Sequence, residues 1–234
     1  MIIPRRRATL LERASAEVAV IKRTLIAIAI LLASLNLATP AHSASEIKGP
    51  PADQVLQQLL EGNGRFVAHH PSHPDGFPSD ARQHPLAVIL SCSDSRVPPE
   101  LIFDEGVGKL FVVRVAGNTY DRLALESIDY AVEHLGTGLI LVIGHDRCGA
   151  VTAAVKSYPD PNAGPMLQNI YPAVRDSRKL PGDAVSNAID ANAILIAKRL
   201  SKEPTLAKLI AVHQLEILPA RYSLATGKIR ILDR

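Results

Sequence analysis

Runs of unbroken apolar residues alternate along this chain with stretches whose apolar residues recur every third or fourth position. The former predict buried strands, the latter helices laid over them. In chain order, Val55, Leu56, Leu59, Leu60 and Phe66 predict an amphipathic helix from Ala52 to Val67. The proline-rich tract from His69 to His84 predicts irregular chain with surface histidines. Leu86–Cys92 predicts a strand that stops on its thiol, after which Val97-Pro98-Pro99-Glu100 should break any helix before it starts, leaving Leu101–Gly108 as a connector. Lys109–Ala116 predicts a second strand, and Leu123, Ile128, Ala131, Val132 and Leu135 predict a helix over Asp121–Leu135, stopped by Gly136. Leu139–His145 predicts the third strand, ending on its histidine, and Cys148–Lys156 a helix that starts at its cysteine. Prolines and Gly164 make 157–182 a predicted loop with at most short helical pieces. Val185, Ile189, Ala193, Ile196 and Leu200 predict a helix over Asp183–Leu200, Leu206–Val212 a strand that carries on towards His213, and Ile217–Leu232 a hairpin turning at Ala225-Thr226-Gly227. Strand–helix–strand order through the middle of the chain implies parallel pairing. The expected fold class is α/β: a mostly parallel central sheet with an antiparallel C-terminal edge, flanked by helices and preceded by an N-terminal helical arm.

The start of the chain changes the picture of where the protein works. Arg5, Arg6, Arg7, Arg13, Lys22 and Arg23 face only Glu12 and Glu17, and the apolar run Leu25–Ala38 is followed by the small residues around Ala41, Ser43 and Ala44. That run has the length of a signal-peptide core and falls short of the ~20 residues of a comfortable membrane span. The expected organisation is a signal peptide over 1–44, a linker over 45–52 and one main domain over 53–234, with export to the periplasm. Membrane attachment then arises only if the N-terminal segment stays uncleaved as an anchor. The net charge of +3 is carried by that basic start, so the remainder offers no electrostatic surface for nucleic acid.

Candidate chemistry sits where two of the predicted strands end. The first runs into Cys92-Ser93-Asp94-Ser95-Arg96, the third into His145-Asp146-Arg147-Cys148. Strand ends of a parallel sheet open into the crevice where sites collect. Two thiolates and one imidazole suit zinc, and three protein ligands leave a fourth position for water, the pattern of a catalytic site. In an exported chain with two cysteines, the alternative is a Cys92–Cys148 disulfide. Arg96 can hold Asp94 by a charge-assisted pair, either to orient the reacting water or only to shape the turn.

Cys92-x-Asp94-x-Arg96 together with His145-x-x-Cys148-Gly149 resembles the β-class carbonic anhydrases. Leu59–Phe66, Phe111–Asn118 and Arg221–Ile229 fit the same pattern, so the resemblance runs from about Asp53 to Asp233. It implies a zinc lyase with one Zn2+ per chain, held by Cys92, His145 and Cys148, that hydrates carbon dioxide to bicarbonate with zinc-bound hydroxide. It implies catalytic roles for Asp94 and Arg96, and a closed, inactive state in which Asp94 swings in as a fourth ligand. Because carbon dioxide is small and apolar, the expected pocket wall is Val97, Val115, Ala116 and Gly117, with the Gly149 N–H near substrate oxygen. A homodimer or homotetramer is implied, with the first helix lying across a partner. Carbonyl sulfide or carbon disulfide hydrolysis on the same scaffold is the alternative enzyme reading, and a non-catalytic zinc-stabilised module the alternative of another class. His134 and His213 do not stand out as proton shuttles, and the chain has no tryptophan on which to build a regulatory bicarbonate site.

Overall fold

The computed structural model describes residues 49–72 and 82–233. Residues 1–44, expected to be a signal peptide, therefore lie outside the described residues, as does most of the histidine-bearing tract. Where that tract is described, His69, His70 and His84 are exposed. Among the described residues no helix is long and apolar enough to cross a membrane.

Five strands form one sheet in the order β2-β1-β3-β4-β5: β1 (Ala87–Ser91), β2 (Leu110–Arg114), β3 (Leu139–His145), β4 (Glu216–Tyr222) and β5 (Ile229–Ile231). The first four pair in parallel and β5 returns antiparallel to β4, the arrangement that the apolar pattern predicted. The central strands β1 and β3 are buried along their whole length, which is why they read as unbroken apolar runs. Alternation sorts their side chains. Ala87, Ile89, Leu139, Leu141 and Ile143 pack with Val55 and Leu59 of α1 (Ala52–Val67), while Val88, Leu90, Ile140 and Val142 pack with the helices of the other face.

Those helices are α3 (Arg122–His134), α6 (Ala184–Leu200) and α7 (Pro204–Ala211), joined at the C-terminal end of the sheet by α4 (Gly149–Ser157) and α5 (Pro165–Ser177). Asp121 caps α3 by accepting from Ala124 N–H at 2.9 Å, and Asp183 caps α6 by accepting from Ser186 N–H at 2.6 Å. Gly144 lets α6 close on β3 immediately before His145, because a Cβ there would meet the Ile189 side chain at 3.0 Å.

Three expectations are overturned. The segment expected as a strand over Leu206–Val212 is helical as far as Ala211, within α7, with Val212 as its C-cap: Leu206, Leu209 and Ile210 have helical spacing, and Pro204 sits at the first turn, where its fixed φ favours a start. His213 accordingly lies in the turn after that helix, at φ 56°, and not in a strand. The stretch 157–182 holds the 13-residue helix α5. Its interior Pro172 costs about 3 kcal/mol, but Ile170, Ala173, Val174 and Ser177 form one buried stripe that outweighs it. Finally, Pro99 begins a one-turn helix, α2 (Pro99–Ile102), instead of preventing one.

The Glu61–Phe66 segment is structural. Asn63, buried, donates to Ile102 O at 3.0 Å and to Gly227 O at 2.8 Å, and accepts from Ile229 N–H at 2.9 Å. Arg65 pairs with Asp104 at 2.5 Å. The helical arm is thereby stapled to its own sheet, and Val55 and Leu59 are buried within the chain.

Candidate metal centre

Parallel pairing sets the ends of β1 and β3 side by side, with Ser91 opposite Ile143, and this juxtaposition builds the site. Cys92 follows β1, His145 is the last residue of β3, and Cys148 is the N-cap of α4. Their donor atoms all lie within 4.8 Å of one another, and all three residues are buried. The two sulfurs stand 3.9 Å apart, unbonded. A tetrahedral zinc with bonds of about 2.3 Å sets two sulfurs ~3.8 Å apart, so the cysteines fit that ion.

His145 supplies a sharper test. Its Nδ1 lies 3.0 Å from the Asp146 carbonyl, which can only accept, so Nδ1 carries the proton and Nε2 presents a lone pair. That Nε2 is buried without a hydrogen-bond partner, on a residue 0% exposed. An orphaned acceptor facing two sulfurs is costly unless a cation completes it.

The thiols do not ionise alike. Cys92 lies below the ordinary thiol range, first because it accepts from Cys148, with the neighbouring His145 ring and the Gly117 and Asp94 N–H groups adding to that against the opposing effect of burial. Cys148 is pushed up, because it gives that hydrogen bond and is buried. Without metal the pair therefore holds about one proton at neutral pH. Zinc binding to the metal-free protein at about pH 7 should release close to one proton per site. Calorimetry in buffers of different ionisation heat measures this, and a release near two would show that both cysteines start as thiols.

Asp94 and Arg96 form the expected pair. Arg96 Nε and its backbone N–H donate to Asp94 Oδ1 at 2.9 and 3.0 Å, and Nη2 donates to Oδ2 at 2.7 Å. Arg96 holds the Asp94 carboxyl well below the usual carboxylate range. Oδ2 stands 3.9 Å from His145 Nε2. Asp94 is thus at the edge of the cluster and outside it, retained by Arg96, and a swing to become a fourth ligand would break these bonds.

The residues expected to wall the pocket are dispersed. Val97 is fully buried with Ile89, Ile102 and Phe103, on the α1 face of the sheet. Val115 packs towards the opposite face. Ala116 and Gly117 lie in a 3-10 turn, Ala116–Asn118, beside Cys92, where Gly117 at φ 68° aims its N–H at Cys92 Sγ, 3.3 Å away. Gly149, exposed, opens the first turn of α4. A cleft of about 840 Å³ lies elsewhere, at the opposite end of β3 and β4, between Pro51, Val132, His213 and Glu216.

Two further residues shape the centre and were not anticipated. Arg114, in register with Ser91, donates from Nε to Cys92 O at 3.1 Å and from Nη2 to Asp94 O, bracing the first ligand loop. Asn192, fully buried on α6, donates to Gly117 O at 2.8 Å and so holds the turn that faces Cys92. Each left a trace in the sequence: an arginine closing an apolar strand, and one amide within an otherwise apolar helix stripe.

Comparison with known proteins bears on the same region. A family model described as carbonic anhydrase matches residues 87–229, from the first residue of β1 to the first of β5. Carbonic anhydrase 2 of Mycobacterium tuberculosis is 36% identical over 189 residues, covering 75% of this chain and 90% of that protein. The solved β-carbonic anhydrase of Coccomyxa, in complex with acetazolamide, superposes with a TM-score of 0.60 at 25% identity, covering 78% of this chain and 83% of that one. One of the two tetrameric β-carbonic anhydrases solved from Sordaria macrospora shares the fold, with a TM-score of 0.58 at 23% identity, 78% of this chain and 93% of that one.

Proposed function

The chain belongs to the β-carbonic anhydrase family, and from that premise we propose that Cys92, His145 and Cys148 hold one zinc ion beside which Asp94 and Arg96 direct the hydration of carbon dioxide. The enzyme class is carbonate dehydratase, a lyase that interconverts carbon dioxide and bicarbonate. The observation that carries the site reading is a buried cluster of three donors with the nearest carboxylate held out of it by an arginine. A non-catalytic zinc module would instead place a permanent fourth protein ligand in the cluster.

Zinc bound there would supply a Lewis acid that lowers the pKa of water from about 15.7 towards about 7. Asp94 then has a definite task. Its low pKa keeps it a carboxylate across the working range, so Oδ2 accepts a hydrogen bond from the attacking water without taking the proton. Arg96 prevents that carboxylate from rotating away. His134 stands on α3 and His213 in the turn after α7, so neither belongs to the donor cluster, and this reading takes solvent buffer as the acceptor of the product proton.

Cys92 and Cys148 as thiolates place two negative charges on the ion, where three imidazoles would place none. The hydration rate should therefore climb from about pH 7 to about pH 9. Stopped-flow hydration on protein lacking residues 1–44 tests the activity and this slope together, and a profile flat across that range contradicts it.

Export to the periplasm is inferred from the basic start, the apolar run Leu25–Ala38 and the small residues that follow. A homodimer or homotetramer is inferred from exposed apolar residues, Leu123 at 73% and Val107 at 65%, and is in keeping with the tetrameric relatives of the same fold.

A further inference from the structure

Asp146 stands between two of the donors and is fastened from several sides. Arg221 of β4 donates to its Oδ1 from Nε at 2.9 Å and from Nη2 at 2.6 Å, and the Leu224 N–H donates to its Oδ2 at 3.1 Å. Its own N–H donates to Tyr222 O at 3.0 Å. Arg221 is itself anchored, since Nη1 donates to Asp190 Oδ1 at 2.8 Å and to Ser186 O at 3.1 Å, and its side chain is only 12% exposed. The guanidinium therefore cannot follow Asp146 if that residue shifts.

What Asp146 does with this rigidity is visible at its carbonyl, the acceptor for His145 Nδ1. Strand register pairs Gly144 with Arg221 and His145 with Tyr222, so the brace is built into β4 beside the end of β3. Arg147, the next residue, takes a left-handed conformation at φ 53°, which returns the chain to Cys148. A non-glycine residue in that region is strained and persists only where its surroundings hold it, and the charge-assisted Arg221–Asp146 pair is fastened to the residue immediately before it.

We propose that Arg221, acting through Asp146, is a positioning residue of the metal centre. It fixes the carbonyl that sets the His145 tautomer and the turn that brings His145 and Cys148 to the same side. The proposal rests on the zinc reading above, and its test separates the two. Arg230 serves as the control: it pairs with the same Asp190 at 3.0 Å from the exposed side and does not touch Asp146 among the bonds described.

Arg221→Gln, Asp146→Asn and Arg230→Gln are compared with the parent in two measurements. In the zinc-free proteins, nitrogen NMR should find His145 protonated at Nδ1 in the parent and in Arg230→Gln, and a mixture of tautomers in Arg221→Gln. From the zinc-loaded proteins, release into excess EDTA should be about 10- to 100-fold faster for Arg221→Gln and within about twofold of the parent for Arg230→Gln. A tautomer or a release rate that does not move in Arg221→Gln overturns the proposal, as does Arg230→Gln behaving like it. Should Arg221→Gln fail to fold, Asp146→Asn decides by the same readouts, because it keeps the side-chain size and the contact to Leu224. A parent that binds no zinc would sink the ligand assignment, while the tautomer comparison would still judge the brace.

Discussion

Cys148→Ser should lose its zinc and, with it, more than about 1000-fold of its carbon dioxide hydration rate. A serine hydroxyl does not ionise near neutral pH and is a poor partner for an ion chosen by thiolates, so one of three ligands disappears outright. The fold should survive. Cys148 is the N-cap of α4, and serine is among the preferred residues at that position, where its hydroxyl can accept from the free N–H groups of the first turn. Loss of activity would then be read as loss of the ligand and not of the protein. Stopped-flow hydration and zinc content, with thermal unfolding alongside, decide it. A variant that unfolds like the zinc-free parent yet keeps a tenth of the rate would remove Cys148 from the site.

The second large effect is expected for Asp94→Asn. The amide is isosteric and leaves zinc bound, but it carries no charge for Arg96 to hold and can turn a donor towards the water it should accept from. The expected loss is about 10- to 100-fold in kcat with little change in KM. Stability should hardly follow. Arg96 is 51% exposed, so water screens the pair and its contribution to stability is small. The sign with pH is also fixed: the folded-state pKa of Asp94 is depressed, so the pair's stabilisation is present above the unfolded value of about 3.9 and fades only as pH falls below it. A fall in kcat that matched a fall in unfolding midpoint would point to a structural role for the pair.

How much of this was legible in the sequence depended on whether local chemistry or tertiary packing decides. The apolar runs of β1 and β3 could be nothing but buried strands, and the ligand residues follow them directly, so the sheet and the donor set both came through. Asp121 and Asp183 announced two helix starts. α5 did not come through, because Pro172 and Gly164 argue for a loop while the stripe that overrides them, Ile170 through Ser177, is stabilised by contacts with α4 and α6. The seven residues Leu206–Val212 were short enough to fit either period, and the proline ahead of them was the better guide.

At the centre itself, residue type and spacing identified the donors and the Asp94–Arg96 pair, whose partners are two residues apart. Arg114, Asn192 and Arg221 act across strand pairings or from a helix, over sequence separations of 22, 75 and 75 residues. At such separations the sequence can mark a residue as out of place, as it does Arg114 and Asn192, but it does not show what that residue contacts. The pocket wall was the weakest inference for a related reason. Val97 follows the ligand loop closely, yet the chain turns there and carries it to the α1 face, away from the cluster of Cys92 and Cys148.

The direct test of the central claim is elemental analysis of the purified, folded protein combined with a count of free thiols. One zinc per chain, with both cysteines reduced once the metal is removed, is the predicted result. Protein free of metal, with Cys92 and Cys148 joined in a disulfide, would contradict it.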